Sequence, residues 1–192
     1  MTSVRVVCPG LLRRDGRTIV EAHSTATLIL APEATILVDT SSRERRTELL
    51  SGLAEAGVAP SEVAVVVLTH LHHDHLGNLE LFPRARRLAH RLERPGEGIE
   101  AVEGDGEIAP GVTLLHTPGH TEGSMSVVAR ADDGVYVIAG DALPTRENYE
   151  RWVPPGLNYD PALALDSMRR IDQAADLIVP GHGTAFPSRR KR

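Results

Sequence analysis

One stretch decides what this chain can fold into. After the apolar run Val63–Leu68 the sequence reads Thr69-His70-Leu71-His72-His73-Asp74-His75-Leu76-Gly77-Asn78, so four potential ligands, His70, His72, Asp74 and His75, stand within six residues. Four of the nine histidines lie between positions 70 and 75. Placing that many imidazoles in a mostly aliphatic protein costs desolvation and leaves polar groups unpaired unless something binds them, and a divalent cation does so. The run before them reads as a buried strand. Side chains alternate faces along an extended segment, so His70 and His72 point the same way. Asp74 and His75 continue into a turn that opens a short helix and face a second position beside the first. One segment thus serves two cations, and the fold has to bring further donors to it.

Three more places share a local grammar, a strand end followed by a turn rich in Gly and Pro: Pro118-Gly119-His120, Gly140-Asp141 and Pro180-Gly181-His182-Gly183. Gly lets the backbone approach closely and aim the next side chain off the strand rim. His75, His120, Asp141 and His182 are separated by 45, 21 and 41 residues, so these donors meet only through the fold.

The rest of the pattern gives that fold a class. Short β-branched runs at Val4–Cys8, Ala26–Leu30, Thr35–Val38, Val63–Leu68, Val112–Leu115, Ser124–Ala129, Val135–Ala139 and Leu177–Val179 read as strands. A helix is expected after Ser41, with Glu44 completing a capping box, Leu49, Leu50, Leu53 and Ala54 inside and Gly57 as terminator. A second begins at Asp160-Pro161 and carries Ala164, Met168 and Ile171 at helical spacing. Strands in runs, few helices and no Gly-rich phosphate loop predict two packed sheets with helices outside. The segments Arg84 to Glu107 and Pro144 to Tyr159 read as long surface loops.

At 192 residues the chain is expected to form a single domain spanning 1–192, with a disordered basic tail at 188–192. A formal charge of −5 argues against a strongly basic nucleic-acid binder. The lone Cys8 allows no intrachain disulfide and no cysteine-rich metal site, and no apolar string approaches membrane-spanning length; a cytoplasmic protein is expected.

The ordered set His70-x-His72-x-Asp74-His75, then His120, Asp141 and His182, resembles that of the metallo-β-lactamase superfamily across essentially the whole chain. The resemblance implies a four-layer αββα sandwich with metals in a groove at one sheet edge. It implies that His70, His72 and His120 hold the first metal, that Asp74, His75 and His182 hold the second, and that Asp141 bridges both. The ligands suit zinc and also accept iron or manganese. Relatives with a redox di-iron centre commonly carry Glu where this chain has His72, which favours hydrolysis. A metal-bridging hydroxide is the expected nucleophile, with Asp74 as proton carrier. Thr69, Thr117 and Thr121 flank the ligand turns and are candidates to hydrogen-bond a ligand. His23, His73, His90 and His116 are assigned no catalytic role.

Substrate choice is less sharply written. Arg146, Tyr149, Arg151 and Trp152 follow a ligand turn and are expected as substrate contacts by stacking or anion binding; the other uses of Trp152 are to plug its loop onto the core or to join two copies of the chain. A small-molecule ester, lactone or thioester is the expected substrate. Arg84, Arg86, Arg87, Arg91 and Arg94 keep cleavage of RNA open as a second reading. The stretch Gly77–Pro83 and the spacing from Trp152 to His182 are similar to the small metallo-β-lactamase-domain-containing protein 1 group, whose vertebrate members are associated with RNA cleavage. Lactonases of the superfamily often carry Tyr three residues after the bridging Asp, where this chain has Pro144. A mononuclear iron persulfide dioxygenase, using only His70, His120 and Asp141, is the third reading.

Overall fold

The computed structural model describes residues 1–16 and 18–191. In its first half, β1 (Ser3–Cys8), β2 (Leu11–Asp15), β3 (Thr18–His23), β4 (Ala26–Ala31) and β5 (Ala34–Val38) precede α1 (Arg46–Glu55). Then come β6 (Val65–Val67), α2 (His73–Leu76), β7 (Arg86–His90) and β8 (Glu100–Val102). The second half holds β9 (Glu107–Ala109), β10 (Val112–His116), β11 (Met125–Ala131), β12 (Gly134–Gly140), α3 (Arg146–Arg151), α4 (Pro161–Ala174), β13 (Leu177–Pro180) and β14 (Phe186–Pro187). One sheet runs β1-β4-β5-β6-β7-β8, the other β14-β13-β12-β11-β10-β9, and β2-β3 form a separate hairpin.

Alternate residues of single strands show why the apolar runs are continuous. Ile36, Val38, Val65 and Val67 face inward and meet Val127, Ile138 and Val179 of the other sheet. Their neighbours Leu37 and Val66 face outward onto Leu49 and Leu53 of α1. On the second sheet Val137, Ala139 and Ile178 face outward onto Ile171 of α4. Each sheet is covered on both faces, which removes the polar alternation of a half-exposed strand. The layers are helix, sheet, sheet, helix, the αββα sandwich expected. Leu53→Ala, which opens a cavity under α1, would cost about 2–5 kcal/mol.

Strand direction places the site. β5, β6 and β7 run parallel, as do β12 and β13. Their carboxyl ends therefore share one rim, where open α/β sheets collect ligands. Asp39, Thr69, Asp141 and Gly181 all follow such ends.

The structure corrects several local expectations. Ser41 caps no helix: it sits at φ 57°, and its hydroxyl donates to the Ser24 carbonyl. A 3-10 turn over Arg43–Arg45 leads into α1 instead. Gly57, at φ 73°, does follow the helix end. Asp160 caps α4 as its sequence requires, its carboxylate accepting from Ala162 and Leu163 N–H. The expected loop over 84–107 contains β7, an interior strand that opens on Arg86-Arg87, and β8, the short strand at the sheet edge. The expected loop over 144–159 contains α3, capped by Thr145. The expected disordered tail is docked at its start: Ser188 is buried and the Arg189 guanidinium stacks 4.5 Å from the Trp152 ring. Arg192 lies outside the described residues. None of the described helices is long and apolar enough to cross a membrane.

Candidate metal centre

β6 delivers the histidine-rich segment over the rim, where the chain bends at Thr69–His70 before α2 begins at His73. The turn after β10 supplies His120, the residue after β12 is Asp141, and His182 stands two residues beyond β13. Two of these turns require glycine. A Cβ on Gly181 would stand 2.0 Å from Asp141 Oδ1. Gly140 adopts φ 51°, and a Cβ there would meet Thr69 Oγ1 at 2.5 Å.

All seven expected ligands come together. His70, His72 and His120 each place one donor atom within 4.8 Å of the others, and Asp74, His75 and His182 do the same. His70, His75 and Asp141 form a third such group, between the two. Asp141 Oδ2 lies 3.6 Å from His120 Nε2, while Oδ1 lies 3.6 Å from His75 Nε2 and 3.2 Å from His182 Nε2. One carboxylate thus faces both trios.

Three buried atoms here, His70 Nε2, His75 Nε2 and Asp141 Oδ1, have no hydrogen-bond partner. Buried polar atoms are nearly always satisfied, and three orphans aimed into one volume are donors awaiting a cation. Imidazole and carboxylate groups in this number fit divalent transition metals.

A second layer of contacts fixes the imidazoles, as metal ligands require. His120 Nδ1 lies 2.7 Å from the Leu157 carbonyl and His182 Nδ1 2.8 Å from that of His23, so each donates there and turns Nε2 inward. His75 Nδ1 contacts Asp39 Oδ2 at 2.8 Å. Asp39 is buried at φ 57° and also accepts from the Thr69 N–H and hydroxyl, both at 2.8 Å. Sequence reasoning missed Asp39, which follows a strand end without the Gly or Pro that marks the other donors. It also missed Glu93, whose carboxylate accepts from Leu71 N–H, the Thr121 hydroxyl and Gly123 N–H, bracing the backbone beside His70, His72 and His120. Of the three candidate threonines, Thr69 lies at the ligands, while Thr117 bonds Ser126 and Thr121 bonds Glu93 and Ser124. His73 is exposed, the rings of His90 and His116 stack on each other at 4.1 Å, and the His23 ring contacts Ser42 and Glu21.

The two trios differ in charge. Burial pushes His70 well below the usual histidine range, with His75 adding to the effect, and burial lowers His72 too. Burial opposes charge at His75 as well, but Asp39 and Asp141 outweigh it and hold that imidazole well above its ordinary value. At His182 burial is likewise overcome by Asp141. Asp141 in turn is held well below the carboxylate range, against its burial, by His182 and His75.

The cleft over these groups encloses about 140 Å³ and is lined by His72, Asp74, His120, Asp141 and His182 together with Leu12, Arg14, Ile19, Ala22, Pro144 and residues 155–157. The four expected substrate contacts sit elsewhere. Tyr149 is 0% exposed in the core beneath α4, its hydroxyl bonded to Asp172. Trp152 packs against Tyr149 and under Arg189. Arg146 pairs with Glu150 and Arg151 with Glu147 along α3. The aromatic residues serve the core, where a ring buries much area. The cleft wall is instead the β2–β3 hairpin, which its Asp15-Gly16 turn announces and sequence reasoning passed over.

A model of the Metallo-beta-lactamase superfamily matches residues 20–182. The chain is 37% identical over 96% of its length to metallo-beta-lactamase domain-containing protein 1 of Xenopus laevis, covering 81% of that protein. It is 35% identical over 93% of its length to a probable metallo-hydrolase of Methanocaldococcus jannaschii, covering 86% of it. An N-acyl homoserine lactonase of Bacillus thuringiensis is 31% identical over 77% of this chain and 64% of its own. A crystal structure from Thermotoga maritima, 20% identical, superposes with a TM-score of 0.79 over 97% of this chain and 99% of that one.

Proposed function

The chain belongs to the metallo-beta-lactamase superfamily and is a metal-dependent hydrolase; on that premise we propose that it holds two divalent cations, zinc foremost, and cleaves the ester, lactone or thioester bond of a small molecule. The observation that carries this reading is the shared carboxylate of Asp141 between two donor trios whose innermost atoms have no other partner. In the proposal His70, His72 and His120 hold the first cation, Asp74, His75 and His182 the second, and Asp141 contacts both.

Bound there, such cations acidify water to a pKa of about 7 and polarise the attacked carbonyl. The protein's own groups do the rest. Asp39 and the carbonyls of His23 and Leu157 hold the imidazoles in one orientation, so the donors need no rearrangement during turnover. Asp74 is part-exposed at the cleft and takes the proton of the attacking water. The water oxygen joins the acyl carbon, the bond to the leaving oxygen or sulfur breaks, and the proton passes from Asp74 to that leaving atom.

Charge pairing supports a small-molecule substrate over RNA. In the basic stretch that would track phosphates, Arg86 is bidentate to Glu100 and Arg91 pairs with Glu103, which neutralises two of its cations. The relationship to the lactonase supports the lactone class. Zinc-loaded protein assayed on lactones, aryl esters, thioesters and single-stranded RNA tests the proposal. Turnover of an ester-type substrate unaffected by competitor RNA is expected; cleavage of RNA alone, falling as salt rises, would overturn the substrate class, and one iron per chain with oxygen uptake would overturn the hydrolytic site.

A further inference from the structure

Exposed large apolar side chains are unevenly spread over the described surface. Apart from Met1 they are Leu11, Ile19 and Val20 of the β2–β3 hairpin, Val153, Leu157 and Tyr159 of the stretch leading into α4, and Leu163 in the first turn of α4. Ile19 (45% exposed) and Leu157 (60%) both line the metal cleft, together with Leu12. Apolar surface concentrated around a concave polar site marks a binding mouth.

One cation stands in this mouth. Arg14 lines the cleft together with His72, His120, Asp141 and His182, and its guanidinium lies across Gly156, where a Cβ would stand 3.2 Å from Nη1. Its neighbours are neutralised: Arg13 pairs with Glu21, and Arg151 with Glu147. Among the described residues no carboxylate lies within ion-pair distance of Arg14. Arg14 is exposed and its guanidinium stands beside the metal-ligand cluster, where a cation selects an anionic group on whatever enters the cleft.

We infer that Arg14 is the specificity residue of this site and that the preferred substrate is a small ester with an apolar body and one carboxylate distant from the scissile bond. The inference rests on the hydrolytic reading above and adds the substrate's charge to it. The apolar hairpin and Leu157 take the body, while Arg14 takes the carboxylate in the two-pronged geometry a guanidinium offers. A single cation suits one anion better than a polyphosphate backbone, which needs several.

The test uses matched esters, phenyl butanoate and monophenyl succinate, which differ by a terminal carboxylate, with zinc-loaded full-length protein. Wild type is expected to show a KM about tenfold lower for the succinate, and Arg14→Gln to remove that difference by raising the KM for the succinate. Arg14→Glu is expected to reverse the preference, and Arg13→Gln to change neither substrate. Equal loss on both esters in Arg14→Gln, or no loss on either, would overturn the inference. Should wild type turn over neither ester, the hydrolytic reading fails for this bond class, and a calorimetric titration with the uncleaved amide N-phenylsuccinamate still decides on Arg14. Binding about tenfold weaker in Arg14→Gln supports its role, and equal binding overturns it. A preference for RNA oligonucleotides that depends on Arg14 would also overturn it, in favour of a phosphate ligand.

Discussion

The two halves of the candidate centre hold their imidazoles by different means. His70 and His72 are kept neutral by burial, and the trio they form with His120 carries no carboxylate of its own. His75 and His182 are kept charged by Asp39 and Asp141, and their trio includes Asp74. The first half is a set of imidazoles whose burial favours the neutral form; the second is a network in which neighbouring carboxylates favour the charged form. A cation therefore competes with protons more strongly at the second trio than at the first. The same contrast extends outward, since the first trio is braced by Glu93 through backbone groups and the second by Asp39 through a ligand ring.

The largest effect expected is at the residue both halves share. Asp141→Ala should lower hydrolytic activity on the order of 10³-fold and release at least one cation per chain, measured by steady-state kinetics with elemental analysis. Retained activity would dissolve the idea of a shared carboxylate. Next comes the comparison itself. Asp39→Asn should weaken cation binding at the second trio about 10- to 100-fold and at the first, which it reaches only through Thr69, by less, whereas Glu93→Gln should act mainly on the first by a smaller factor. Competition with a graded series of chelators, counting cations retained, separates the two.

A third consequence concerns pH. Asp39 and Asp141 hold His75, and Asp141 holds His182, above the ordinary histidine value, so cation uptake at their trio competes with protons. Affinity there should fall as pH drops from 8 to 6. His70 and His72 titrate below that value, so uptake at the first trio releases none from them over the same span. Calorimetric titrations in buffers of different ionisation enthalpy read proton release step by step; equal release in both steps would erase the distinction. The smallest effects are expected on α3: Arg146→Gln and Arg151→Gln should leave kcat/KM within about twofold, since both make exposed ion pairs and Arg146 adds only a contact over the Phe186 ring.

What the sequence made legible follows from chemistry confined to short segments. His70 through His75 are readable because four donors in six residues have no cheap structural alternative, and Gly140 and Gly181 announce turns because their neighbours leave no room for a side chain. The apolar strands Val65–Val67 and Thr35–Val38 are readable because both of their faces are buried. Asp39 was hidden because one acid at a strand end looks like any turn residue until β5 and β6 are seen to run parallel beside it. The hairpin over Leu11–His23 was hidden because it packs one-sidedly and exposes the apolar residues that periodicity expects inside. Tyr149 and Trp152 misled for the opposite reason: rings in a polar stretch after a ligand suggest a pocket, yet α3 turns them onto Ile171 and Phe186.

Anomalous scattering from crystals of zinc-loaded protein measures the central claim directly. The expected result is two peaks about 3.5–4 Å apart, one within bonding distance of His70, His72 and His120, the other of Asp74, His75 and His182, with Asp141 touching both. A single peak at full zinc loading, or zinc bound away from Asp141, would contradict a centre built on one carboxylate shared by two trios.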